Sequence, residues 1–145
     1  MPHDTAPVNF ATRTPAIYQA LRNAQDTILA AGLDRRLHHL VVLRASQMNG
    51  CAFCVKMHTK EARQDHETDE RLDRLIVWRH VDDFSDAEKA AFAWTEALTT
   101  LKEDTEYGPL RARLRKHYTE EEIAALTATV AMINVWNRLQ VSQHE

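Results

Sequence analysis

Apolar positions along the chain recur at spacings of three and four, the period of an α-helix, and no stretch alternates as a strand would. Tyr18, Leu21, Gln25, Ile28 and Leu29 mark a first helix. Thr14-Pro15 opens it, a cap hydroxyl followed by proline at the first helical position, and Gly32 closes it just past the end. Asp34 caps a second helix over about 34–49. Leu37, Leu40, Val41, Leu43, Ala45 and Met48 cover most of its circumference, which predicts burial. Arg44 interrupts that apolar surface, and either an acid partner or solvent answers its charge. Gly50 ends this helix and lets another run from Cys51 to about Gln64.

Thr68, with Asp69 and Glu70 in the first turn, starts a short helix to about Val77. Ser85-x-x-Glu88 is a capping box before an apolar face of Ala90, Ala91, Phe92, Trp94, Ala97, Leu98 and Leu101. Trp78 and Trp94 read as packing residues. Residues 102–108 form a polar loop, and Gly108-Pro109 starts a short helix whose Arg111, Arg113, Arg115 and Lys116 read as a solvated face. Thr119-x-x-Glu122 is a second capping box. It opens a last helix along Ile123, Leu126, Val130, Ile133 and Leu139. The pattern predicts an all-α single domain of about six to seven helices over residues 14–140, with residues 1–13 as an extended polar arm.

Composition narrows the function classes. The chain has 145 residues, enough for one domain with a real core. Its 44% apolar and 27% charged content is ordinary for a globular protein. A net charge of −3 gives no basic footprint for nucleic acid. No apolar run approaches the roughly 20 residues that span a membrane. The start lacks the basic and apolar regions of a signal peptide, so a reducing cytoplasm is the expected location. With three glycines and four prolines, helix breakers are scarce.

The chemistry concentrates where both cysteines stand. Cys51 and Cys54 form a C-x-x-C motif directly after Gly50, and His58 and Glu61 follow at helical spacing. Two thiols, an imidazole and a carboxylate therefore share one stripe beginning at a helix N-terminus. A free thiol titrates near about 8.5; unpaired helix N–H groups and a protonated imidazole both lower that value. A low-pKa thiolate with a second thiol one turn away suits oxidation to a sulfenic acid and closure to a disulfide. Two plainer readings stand beside this one. Cys51, Cys54 and His58, with His39 as a fourth ligand, make a Cys₂His₂ zinc set, and the cysteines also suit an inert core. Val55 after Cys54 excludes a c-type haem site. There is no glycine-rich phosphate loop or nucleotide motif, and no resident cofactor is expected.

The run Leu43-Arg-Ala-Ser-Gln-Met-Asn-Gly-Cys-Ala-Phe-Cys-Val-Lys-Met-His-Thr-Lys-Glu-Ala-Arg63 resembles the core motif of the AhpD-like alkylhydroperoxidases, in the carboxymuconolactone decarboxylase superfamily. Trp78-Arg79, Phe84-Ser-Asp-Ala-Glu88 and Ile133-Asn-Val-Trp-Asn-Arg138 also fit, so the likeness covers roughly residues 14–140. It implies an all-helical fold assembled into homotrimers or hexamers. It also implies reduction of a hydroperoxide, with Cys54 attacking, Cys51 resolving and His58 activating the thiol, and with an external dithiol as reductant. The family relay usually adds a glutamate twelve residues before the first cysteine, where this chain has His39, and often a histidine between the cysteines, where it has Phe53. His39 can pass a proton but supplies no fixed negative charge. Glu61 is a candidate orienting acid, against the simpler reading of a solvated side chain. The rivals are a γ-lactone decarboxylase, which needs no redox pair, a zinc-binding module, and an oligomer whose disulfide senses redox state without turnover.

Overall fold

The computed structural model describes residues 4–145, and among them it contains eight α-helices and no strand. They are α1 (Phe10–Arg13), α2 (Pro15–Leu29), α3 (Arg35–Met48), α4 (Ala52–Gln64), α5 (Asp69–Arg74), α6 (Asp86–Thr100), α7 (Tyr107–Arg115) and α8 (Glu120–Val141). A 3-10 segment, Leu75–His80, continues α5 across a kink at Val77. The all-α expectation holds, and both capping boxes form, Ser85 with Glu88 and Thr119 with Glu122. Asp34 and Thr68 also cap as the sequence predicts, accepting from Leu37 N and Arg71 N.

Four local expectations change. Residues 1–3 of the expected arm lie outside the described residues, and Phe10–Arg13 coil into a helical turn capped by Asn9. Thr14 does not cap α2: its hydroxyl donates backward to Phe10 O at 2.7 Å, because α1 places that carbonyl within reach. The left-handed Gly32 (φ 88°) sits beyond the Ala30 C-cap, in the loop itself. The basic helix α7 begins at Tyr107, just ahead of the predicted Gly108-Pro109 start.

Helix α3 is the centre of the molecule. Leu40, Val41 and Ala45 are wholly buried, and α4, α6 and α8 all pack on it. Phe92 of α6 is enclosed, meeting Trp78 and Phe84 edge to face at centroid separations of 5.6 and 5.3 Å. The charge on Arg44 is answered inside the chain: its Nε donates to Glu96 at 2.8 Å. Glu96 also accepts from Trp78 Nε1 at 2.9 Å, tying α3, the 3-10 segment and α6 into one polar node. Trp78 and Trp94 are buried, as expected of packing residues. Helix α2 is different. It buries none of its residues, and its amphipathic face looks onto α8 across a cleft.

Candidate functional site

The cleft owes its position to one elbow. Helix α3 ends at Asn49, and Gly50 follows with φ 63°, a left-handed geometry that carries little penalty only in glycine. Gly50 N–H then donates to Gln47 O (3.2 Å) and Cys51 N–H to Ser46 O (3.1 Å), the pair of bonds of a Schellman stop. Cys51 is thus the residue that ends α3 and also the N-cap of α4. Its Sγ accepts from Cys54 N at 3.3 Å. Behind the elbow, Asn49 Nδ2 donates to Asn134 Oδ1 (3.0 Å) and Asn137 Oδ1 (2.9 Å) on α8. Asn137 Nδ2 donates to Ser46 Oγ at 3.0 Å. In front, the C-terminal His144 Nε2 accepts from Ala52 N at 3.4 Å.

Cys51 and Cys54 are joined in a disulfide, and both are buried. The two sulfurs are not equivalent. Cys54 lines a cleft of about 800 Å³ between α2, α3, α4 and α8, whereas Cys51 lies behind it, off the cleft wall. Apolar walls come from Leu29, Val42, Phe53, Met57, Ile133 and Trp136. Trp136 Nε1 donates to Gln25 Oε1 of α2 at 2.9 Å, which holds the far wall in place. The polar lining includes His38, His39, His58, Glu61 and Asp65. The structure therefore gathers Cys54, His58 and His39, all singled out from sequence, around one space.

His58 is buried on α4, one turn beyond Cys54. Burial lowers its pKa, against the opposing pull of the Glu61 carboxylate, so the imidazole is neutral at pH 7 and able to accept a proton. Glu61 Oε2 stands 3.4 Å from His58 Nδ1, out of line for a hydrogen bond, and its side chain is 43% exposed. Glu61 is near enough to influence His58 and too solvated to fix it.

His39 has the partner that the sequence did not reveal. Its Nε2 lies 2.5 Å from Asp65 Oδ2, at the end of α4. The bond from His39 holds the Asp65 carboxyl below its ordinary range, with the Arg35 guanidinium adding to this against partial burial. Arg35 Nε is 2.6 Å from the same oxygen. An ionised carboxylate only accepts, so Nε2 carries the proton. Nδ1 of His39 is buried without a hydrogen-bond partner. Phe53, where the family often has a histidine, is half exposed at the cleft rim and brings only apolar surface. Among the described residues, no group of three or more His, Cys, Asp or Glu side chains is arranged to share a metal ion.

Next to His39, His38 is pushed down to about 4, first by burial and then by the neighbouring charges of His39, His58 and Arg35. Since its folded value lies below the unfolded 6.5, the unfolded chain binds the proton more readily. His38 therefore contributes stability that is present above pH 6.5 and lost as pH falls toward 4. At pH 5 the loss relative to pH 7.5 should be about 2 kcal/mol. Urea unfolding at the two pH values should show a smaller difference for His38→Gln than for the wild type. An equal difference in both proteins would assign the acid sensitivity to other groups.

Comparison with known proteins places this arrangement in context. Residues 15–97 match the carboxymuconolactone decarboxylase family. The chain is 38% identical over 112 residues to the uncharacterized protein YdfG of Bacillus subtilis, covering 77% of this chain and 76% of that one. A crystal structure from Agrobacterium tumefaciens is 34% identical and superposes with a TM-score of 0.91 over 96% of this chain and 95% of its own. That protein is of unknown function and is proposed to be an antioxidant defence protein, AhpD. The debrominase Bmp8 shares the fold at 20% identity and a TM-score of 0.82, over 94% of this chain and 75% of its own.

Proposed function

The chain belongs to the carboxymuconolactone decarboxylase family, and from that footing we propose that it is an AhpD-like thiol peroxidase that reduces organic hydroperoxides through a Cys51–Cys54 disulfide cycle. One observation carries the reading: a disulfide whose outer sulfur, Cys54, faces a largely apolar cleft beside a neutral, buried imidazole. In the reduced protein, His58 takes the Cys54 proton. The thiolate attacks the terminal oxygen of the hydroperoxide and breaks the O–O bond. The alkoxide recovers the proton and leaves as alcohol, and Cys54 becomes the sulfenic acid. Cys51 then displaces water from that sulfur and closes the disulfide. An external dithiol carrier restores both thiols by exchange. No protein-bound cofactor enters the cycle.

Assembly with further copies, as trimer or hexamer, belongs to this reading, and α2, which buries none of its residues, is free to take part in it. No helix among the described residues is long and apolar enough to cross a membrane. A cytoplasmic setting would supply the reducing carrier. A lactone decarboxylase would leave the cysteine pair without a task.

The test is a thiol count and intact mass on freshly reduced protein, before and after one equivalent of an organic hydroperoxide. Both thiols should disappear, with a mass loss of two hydrogens and one equivalent of alcohol. Survival of both thiols would reject peroxidase chemistry.

A further inference from the structure

We propose that Asp65 is the positioning carboxylate of this site, acting on the thiol chemistry through His39. The inference rests on the thiol reading above but concerns a residue outside the C-x-x-C stripe. Two observations carry it. Asp65 Oδ2 contacts His39 Nε2, which fixes a proton on that nitrogen. The other nitrogen, Nδ1, is enclosed without a partner in a residue that lines the cleft with Cys54 and His58. A buried acceptor with no bond is costly unless something uses it.

The arrangement reproduces, with two residues, what one carboxylate at position 39 would do. A glutamate there would place a negative charge in the cleft. Here the charge sits on Asp65, at the far end of α4, and the imidazole carries its influence inward. A positive charge on His39 would lower the His58 pKa further. By keeping the ring proton on Nε2, Asp65 leaves Nδ1 as an acceptor in a residue that lines the cleft. In balanced form, Cys54 S–H gives its proton to His58, yielding Cys54 S⁻ and a His58 imidazolium, which the Nδ1 lone pair that Asp65 keeps free on His39 stabilises across the cleft. When the O–O bond breaks, the proton returns by the same path to the alkoxide. Other charged groups facing His39 are Arg35 and His38 on α3, and His58 and Glu61 on α4; Arg22 and Asp26 of α2 line the same cleft. None of these hydrogen-bonds the ring among the described contacts; Asp65 does.

The experiment reads the thiolate directly and needs no hydroperoxide. In Cys51→Ser protein, where Cys54 is the single thiol, the rate of iodoacetamide alkylation is followed from pH 5 to 9. Adding Asp65→Asn should raise the apparent Cys54 pKa by about one unit and slow alkylation at pH 7 about tenfold. Asp65→Glu should restore most of the rate. With His39→Glu in place, Asp65→Asn should change the rate less than about twofold, since the carboxylate is then already in the cleft. An unmoved profile in Asp65→Asn would overturn the proposal. So would an equal shift in the His39→Glu background, which would make Asp65 a general surface charge. A shifted profile in a protein that consumes no hydroperoxide would retain Asp65 in this role and reject the peroxidase reading alone.

Discussion

Cys54→Ser should consume no organic hydroperoxide above the buffer rate, while Cys51→Ser should consume one equivalent per subunit and stop. The asymmetry follows from the elbow. Cys54 is on the cleft wall, and Cys51 is behind it, with its sulfur turned to the N–H of Cys54 as the cap of α4. A substrate seated in the cleft therefore meets Cys54. A serine hydroxyl there cannot be ionised by an imidazole near pH 7, so the loss should be complete rather than partial. In Cys51→Ser the attack still occurs, but no second thiol displaces water, and the sulfenic acid persists. Dimedone trapping followed by mass spectrometry would find the adduct on Cys54. One-equivalent consumption at equal rates in both variants would remove the division of roles. Full multiple turnover by Cys51→Ser would remove the internal disulfide from the cycle.

The residues legible in the sequence were those whose relation is local. Cys51, Cys54, His58 and Glu61 lie within one helix, where spacing alone defines the face. The capping boxes at Ser85 and Thr119 are local as well, and both form. Asp65 was illegible because its partner is 26 residues away along the chain. The physical link is the antiparallel hairpin of α3 and α4 about Gly50. His39 stands 11 residues before that elbow and Asp65 15 after it, so the two are mirror positions offset by one helical turn. Without knowing that offset, Glu61, also 11 from the elbow, is the natural guess. The structure instead leaves Glu61 largely to solvent and His58. The α4 terminus explains how Asp65 is presented. His66 adopts φ 69°, a left-handed turn unusual outside glycine. On one side of the turn Asp65 meets His39; on the other, Glu67 is buried against Arg71 and Arg36. Thr14 fails as a cap for a local reason, through a partner four residues back. Its competing partner, the Phe10 carbonyl, exists only once the short α1 has formed.

Asn137→Ala should cost about 2–4 kcal/mol of stability, more than its single amide suggests. Asn137 is completely buried and serves both neighbours at the elbow, accepting from Asn49 and donating to Ser46. Ser46 in turn donates to Val42 O at 2.7 Å, and its own carbonyl receives the Cys51 N–H that ends α3. Truncation removes two hydrogen bonds, leaves an amide-sized void, and frees the turn that aims Cys51 and Cys54. Asn134→Ala is the matched control. Asn134 makes more bonds, donating to Thr99 Oγ1 and Val130 O and accepting from Asn49 and Arg138, but it is only half-buried, so water can replace the partners it loses, and Asn49 would still hold Asn137; a loss of about 1 kcal/mol is expected. Urea unfolding of the oxidised proteins gives both numbers. Amide exchange at residues 49–52 should also accelerate in Asn137→Ala, because Asn134 is then the one α8 side chain still hydrogen-bonded to Asn49 among the described contacts. Equal losses in the two variants would make the contribution generic burial. A loss confined to Asn137, with faster exchange at the elbow, would identify α8 as the element that holds the cysteine pair in place.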